Sequence, residues 1–188
     1  AMGGLRPVVA VYSTFFTRAF DQANLDVALH DQPVVMVFDR AGITGDDGAS
    51  HHGVLDLALS LAIPGVTVFA PSSAEEIAPM LETALSLKGP ATIRFPKTPA
   101  RHVPAEEVGQ GLSARKVRQG TGTVCLIGVG KMLEACLEAA QLLQVEGVDA
   151  TVWDPRVIAP ADKEMLDDAA RHLLVVTAED GIRLGGAG

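Results

Sequence analysis

At 188 residues, with 48% hydrophobic content and a formal net charge of -8, the chain is long enough for one large domain or two small ones with a real core. It carries no run of basic residues, which argues against nucleic acid and anionic membrane surfaces as partners. No apolar stretch reaches transmembrane length, no signal peptide is visible, and Cys125 and Cys136 lack metal-ligand spacing, so both read as buried small hydrophobes in a reducing, cytoplasmic setting.

Aromatic residues make up only 4% of the chain, so Val, Ala and Leu must fill the core. That composition favours Val-rich strands under Ala/Leu-rich helices. The first strand-like run is Val8–Tyr12. After it, Phe15, Phe16, Ala19, Phe20, Ala23 and Val27 recur at helical spacing behind an N-cap at Ser13. Val34–Phe38 reads as a buried parallel strand. Just past its carboxyl end lie Asp39, Arg40, Asp46, Asp47, His51 and His52, with glycines at 42, 45, 48 and 53. Open α/β sheets place ligand sites at such strand ends, and glycine lets a backbone approach a ligand closely.

A short apolar helix over 54–62 follows, stopped by Pro64. Val66–Ala70 is the third strand. Ser72 with Glu75, or Ser73 with Glu76, fits a capping box for a helix running to about Leu87. Thr92–Phe95 is the fourth strand. Alternating strands and helices imply right-handed crossovers and a parallel sheet.

This first unit covers 1–97. Residues 98–122, interrupted by Pro99, Pro104 and four glycines, read as a linker with room for one short strand. A second α/β unit occupies 123–188. Its strands are Val124–Ile127, Ala150–Trp153 and Leu173–Thr177, and its helices are Leu133–Glu146 and a shorter one from Asp162 to about Arg171. Gly128-Val129-Gly130-Lys131 sits at a strand-to-helix turn. A helix N-terminus there could attract phosphate, but a full dinucleotide or Walker pattern is missing, and a plain tight turn fits as well. The fold class is therefore α/β, with two domains that are each a mostly parallel sheet flanked by helices. The glycine-rich end, Gly185-Gly186-Ala187-Gly188, reads as the middle of a turn, so a fragment of a longer protein is expected.

Several motifs occur together in one order. They are Tyr12-Ser13-Thr14-Phe15, Arg18-Ala19-Phe20-Asp21, Asp39-Arg40-Ala41-Gly42, Asp47-Gly48-Ala49-Ser50-His51, Arg94-Phe95-Pro96, Asp154-Pro155-Arg156 and Glu179-Asp180-Gly181. In this combination the chain resembles the 1-deoxy-D-xylulose-5-phosphate synthases, thiamine-diphosphate enzymes of the transketolase superfamily. The resemblance implies a pyrimidine-binding domain over 1–97 and a C-terminal domain over 123–188. It implies condensation of pyruvate with D-glyceraldehyde 3-phosphate and loss of CO2, in a cytoplasmic homodimer. Thiamine diphosphate with Mg2+ is the implied cofactor. Its metal and diphosphate ligands, and the glutamate that faces its aminopyrimidine, are expected in a missing N-terminal domain, so no metal ligand is expected here. The isolated fragment should be inactive.

The resemblance places Tyr12, Phe15 and Arg18 around the aminopyrimidine, with Phe15 stacking on it. From spacing alone, Phe15 reads rather as core, since apolar positions at helical spacing usually are. Arg40 and Arg94 each follow a strand, and a guanidinium fork suits phosphate oxygens. The family pattern assigns both to the acceptor phosphate. The alternative is a salt bridge to Asp39, Asp46 or Asp47. His51 can move protons near neutral pH, and a carboxylate at Asp47 can orient it. The resemblance turns both toward the reacting carbons. His52 reads as solvent-facing, and His30, His102 and His172 as surface or packing residues. Asp154, Arg156 and Glu179 are assigned to domain and dimer contacts. Related alternatives are a transketolase, the β subunit of a 2-oxo-acid dehydrogenase, or a non-catalytic module retaining the fold.

Overall fold

A computed structural model describes all 188 residues. Two sheets organise it. The first runs in the order β1 (Val8–Tyr12), β2 (Val35–Asp39), β4 (Ala91–Arg94), β3 (Thr67–Phe69) and β8 (Val157–Ala159). Its first four strands are parallel. The second sheet has the order β5 (Arg115–Arg118), β7 (Thr151–Asp154), β6 (Val124–Gly128) and β9 (Leu174–Ala178). There β7, β6 and β9 are parallel and β5 is antiparallel to β7.

Register brings the chemistry to one edge. Tyr12 pairs with Asp39 and Phe38 with Arg94, so β1, β2 and β4 end side by side. Behind them Phe16, Phe38, Leu57 and Val68 form the core, with the Phe16 and Phe38 rings 4.4 Å apart between centroids. Burying each such side chain contributes about 1.5–3 kcal/mol.

The segment after β1 departs from a plain helix. Ser13–Arg18 is a 3-10 helix, α1 is only Phe20–Gln22, and Ala23–Ala28 is a π-helix. Ser13 does not cap it. Its hydroxyl donates instead to the Gly53 carbonyl, at 3.1 Å. Thr14, Thr17, Asn24 and Val27 are weak helix formers, so packing rather than propensity sets the geometry. Phe16 turns into the core and Phe15 stays outside.

The capping box is also absent. α3 spans Ile77–Ser86, and neither Glu75 nor Glu76 caps it in the expected way. Glu75 instead accepts from Val103 N–H (3.0 Å) and meets His102 Nδ1 at 2.7 Å. The bond from His102, then that from Val103, holds the Glu75 carboxyl down at about 2. Elsewhere α2 (Asp56–Ala62), α4 (Met132–Val145) and α5 (Lys163–Ala169) lie where the periodicity places helices. Asp162 caps α5 by accepting from Met165 N–H at 3.0 Å.

β8, only three residues long, carries no periodic signal of its own. It leaves the second unit and pairs antiparallel with β3, at Val68↔Ala159 and Phe69↔Val157. Beside it lies a fully buried ionic knot. Arg156 Nε donates to Glu76 Oε1 at 2.7 Å, and its Nη1 reaches the carbonyls of Gln110, Gly111 and Ser113. Ser72 Oγ donates to Asp154 Oδ2 at 2.6 Å, and Ser72 N–H to Glu76 Oε2 at 3.0 Å. Ser72 and Glu76 come from the first unit, Asp154 and Arg156 from the second. Asp154 and Arg156 thus make contacts between units, whereas Glu179, given the same role from sequence, is bonded within its own unit to the Ala187 and Gly188 amides.

Candidate active site at the carboxyl edge of the first sheet

The loop after β2 is closed by two reciprocal backbone bonds, Gly42 N–H to Gly53 O and Gly53 N–H to Gly42 O, both 2.8 Å. A Cβ at Gly53 would overlap Ser13 and the Arg40 carbonyl, so this closure needs glycine. Arg40 itself sits at φ 60°, a left-handed conformation uncommon for a residue with a side chain. Its N–H donates to Asp39 Oδ1 at 2.7 Å, which steadies the turn. Such strain concentrates at functional sites.

Between these closure points the loop carries two short 3-10 turns, Gly45–Asp47 and Ala49–His51. They set His51 beside Phe15, with Ser50 Oγ 3.0 Å from its Nδ1; Asp47 is bonded by Arg40 and Lys97 instead, so it does not orient His51 as the sequence suggests. Tyr12 and Phe15 form an exposed stacked pair, with centroids 6.0 Å apart and planes 15° apart. His51 meets the Phe15 ring edge-on at 5.8 Å. The Arg40 guanidinium lies 4.2 Å from the Tyr12 centroid. Phe15 is 44% exposed, so the core reading of this residue does not hold. Two exposed coplanar rings beside a cation form a surface suited to a flat heteroaromatic group. Arg18 stands apart: it is exposed at the end of the same 3-10 helix and makes no hydrogen bond or ion pair.

Asp47 is the electrostatic centre of the loop. Arg40 Nη1 and Lys97 Nζ both bind it, Lys97 at 2.6 Å to Oδ1. The bond from Lys97, followed by that from Arg40, holds the Asp47 carboxyl below its ordinary range. In return the bond to Asp47 raises the Lys97 ammonium. Burial opposes the Arg40 charge, but Asp47 outweighs it and the guanidinium is held above its ordinary value. Arg40 Nε is buried and lacks a partner, so one donor of the fork remains free. The sequence reading overlooked Lys97. The signal for it was its place three residues after Arg94, just beyond the end of β4.

Arg94 behaves differently from Arg40. It is buried, and its Nε donates to Asp56 Oδ2 at 2.7 Å. Its Nη2 reaches Asp56 Oδ1 at 3.4 Å and the Asp180 carbonyl at 2.9 Å. Two of its three nitrogens are therefore committed within the chain, and its carboxylate partner is none of the three aspartates considered from sequence. Asp56 opens α2 and is itself fully buried. His52 also differs from expectation. It is half-buried, and its Nδ1 lies 3.2 Å from Thr44 N and 3.0 Å from Thr44 Oγ1, so it braces the loop from inside. No group of three or more His, Cys, Asp or Glu side chains could hold a metal ion. No helix is long and apolar enough to cross a membrane.

Comparison with known proteins agrees with this geometry. Residues 1–102 match the family model of the transketolase pyrimidine-binding domain, and residues 113–188 match that of the transketolase C-terminal domain. The chain is 46% identical to a 1-deoxy-D-xylulose-5-phosphate synthase of Frankia casuarinae and 48% identical to one of Mycobacterium avium, over its whole length in both cases. It spans only 30% and 31% of those relatives. Among solved structures it is similar to a split-gene transketolase in its inactive β4 tetramer, with a TM-score of 0.89 and 29% identity, covering 99% of this chain and 61% of that one. The chain belongs to the transketolase family, as a pyrimidine-binding domain joined to a C-terminal domain.

Proposed function

We propose that this chain is the pyrimidine-binding and C-terminal part of a thiamine-diphosphate carboligase that condenses pyruvate with D-glyceraldehyde 3-phosphate to 1-deoxy-D-xylulose 5-phosphate, releasing CO2. The observation that carries the reading is the exposed Tyr12–Phe15 pair beside Arg40, Asp47, His51 and Lys97, in a chain whose relatives bear that enzyme's name.

The fit to the cofactor is partial. The stacked rings suit its aminopyrimidine, and Phe15 is the ring free to pack against it. In this reading the ligands of its Mg2+ and diphosphate come from the part of the relatives' length that this chain does not span. When bound, the cofactor supplies the carbanion chemistry that a protein side chain lacks. The chain's own residues orient and neutralise. Arg40 and Lys97, drawn together by Asp47, offer an anion site for the acceptor phosphate. Lys97 takes the place first given to Arg94, because Arg94 is already held by Asp56 and the Asp180 carbonyl. Asp47 keeps the two cations together until phosphate competes for them. His51, at the rim next to Phe15, is placed to pass a proton at the reacting carbons. Arg18 is free to contact the cofactor from the outer side.

The remaining assignments belong to the same reading: domains over 1–97 and 123–188 with a linker over 98–122, a cytoplasmic setting, and a homodimer. Val8 and Val9 on β1, and Leu174, Val175 and Val176 on β9, are exposed apolar strand residues, which supports a partner surface. The test is an assay of the full-length polypeptide with pyruvate, D-glyceraldehyde 3-phosphate, thiamine diphosphate and Mg2+. Product formation by the full-length protein, with none from the 188-residue chain alone, is the expected result. Lack of product from the full-length protein refutes the reading.

A further inference from the structure

The second unit touches the loop between Gly42 and Gly53 chiefly through Asp180. Asp180 follows β9 at the carboxyl edge of the second sheet, and its carboxylate reaches the entry of the Gly42–Gly53 loop. Ile43 N–H donates to both Asp180 oxygens, at 3.3 and 3.2 Å. Lys131 forms an ion pair with the same carboxylate, which is mostly buried. The Asp180 carbonyl accepts from Arg94 Nη2 at 2.9 Å, and Arg94 holds Asp56 at the start of α2. Two residues on, Ile182 N–H donates to the Val54 carbonyl at 3.1 Å. Asp180 therefore grips the loop at its entry through Ile43, and Ile182 grips it just past its exit.

Three otherwise unrelated sequence features meet here. Gly42 is glycine because a Cβ at that position would overlap the Asp180 carboxylate, besides needing its φ of 79°. Lys131, in the Gly128–Lys131 turn, faces Asp180 as its counter-ion rather than standing free for a phosphate. Arg94 is buried because it links the same residue to α2.

We propose that Asp180, backed by Lys131, is a positioning residue through which the C-terminal domain sets the geometry of the Asp47–His51 loop. The acceptor of the Ile43 bond belongs to a different domain, so docking of the two domains adds an anchor at the loop entry that the first unit alone does not supply. The C-terminal domain then acts on the site at a distance, through a carboxylate that touches no substrate. This consequence for the site rests on the carboligase reading above; the clamp itself does not.

Amide hydrogen exchange on the 188-residue chain tests the clamp without any need for activity. Asp180→Ala removes the acceptor for Ile43 while leaving the backbone carbonyl that holds Arg94. Exchange at Gly42, Ile43 and Gly53 should rise at least about tenfold, as expected for loss of a charge-assisted bond. Amides in β2, β4 and β6 should keep their wild-type rates. Asp180→Asn should restore part of the protection, because its carbonyl can still accept from Ile43. Lys131→Met should raise exchange at the same three amides by a smaller factor. A uniform rise across both sheets would mean that Asp180 serves only general stability and would overturn the proposal. So would unchanged exchange in the loop. If the loop is released as expected but the full-length protein makes no product, the carboligase reading fails and the clamp stands.

Discussion

Replacing Asp154 by Asn should stabilise the chain, and more so as the pH rises. Asp154 and Glu76 are two fully buried carboxylates bridged by the Ser72 hydroxyl, with Arg156 as the only cation bonded to either. One positive charge does not balance two negative ones away from water. Burial, and then repulsion from Glu76, push the Asp154 carboxyl up to about 7. Arg115, opposite Asp154 on β5, is half-exposed and bonds outward to Glu107. The folded-state value thus lies above the unfolded one. Asp154 prefers to be protonated when the chain is folded, so its contribution is most favourable at low pH and declines as pH rises toward 7.

Ionising Asp154 against that shift costs on the order of 2–3 kcal/mol between pH 5 and 8. Asn fits the same bonds. Its carbonyl can accept from Arg156 N–H, as Oδ1 does now at 3.0 Å. Its amide can donate to Ser72 Oγ, which can then donate to Glu76. No buried polar atom loses its partner, so the change removes a charge without opening a cavity. Urea unfolding of both proteins at several pH values between 5 and 8 measures the difference. The variant should gain on the wild type by about 2–3 kcal/mol over that range. Parallel stability curves would show that Asp154 carries no proton linkage and that the knot is neutralised in another way.

Three further outcomes follow from the site. In the full-length protein, Lys97→Ala should raise the KM for D-glyceraldehyde 3-phosphate about ten- to a hundredfold while leaving that for pyruvate nearly unchanged, the cost of one charge-assisted contact; steady-state kinetics with an unphosphorylated aldehyde should show no such effect, and an equal loss with both acceptors would return Lys97 to a structural role. Phe15→Ala should weaken thiamine diphosphate binding in that protein by roughly tenfold, about 1.4 kcal/mol, with the circular dichroism spectrum kept because Phe16 fills the core; unchanged affinity in a calorimetric titration would contradict the stacking assignment. Asp56→Ala should destabilise the 188-residue chain by about 3–5 kcal/mol, because it leaves the buried Arg94 charge without a carboxylate; a loss below about 1 kcal/mol in chemical denaturation would show that Arg94 is solvated or paired elsewhere.

Much of the fold was legible because long-range order here has a local signature. Val8–Tyr12 and Val34–Phe38 read as strands from apolar content alone, and α4 from its periodicity. The failures share a cause. Ser13, Glu75 and Glu76 each had a plausible local partner, yet each is used by a residue far along the chain: Ser13 by Gly53, Glu75 by His102, Glu76 by Arg156. A capping rule weighs only near neighbours, and tertiary contacts outbid it. β8 was invisible for the same reason, since three residues pair with a strand about ninety positions earlier only because the two units dock.

The site shows the same division. That Arg40, Asp47 and His51 gather near β1 is readable, since they share one loop after one strand. How the two strand-end arginines differ is not. Both follow a β run, and both have acidic residues nearby in sequence. What separates them is depth. Arg40 and its partner Asp47 are both partly exposed, whereas Arg94 points under α2 to the buried Asp56 and is closed off by Asp180 from the other unit. A cation that can exchange a carboxylate for a substrate phosphate must have its partner at the surface, where water lowers the cost of exchange. A cation whose partner is buried cannot release it without stranding a charge. Arg94 is therefore held at the sheet edge by its own chain, and the proposed anion site rests on Arg40 with Lys97. That assignment depends on burial created by the whole fold, and no spacing within the chain encodes it.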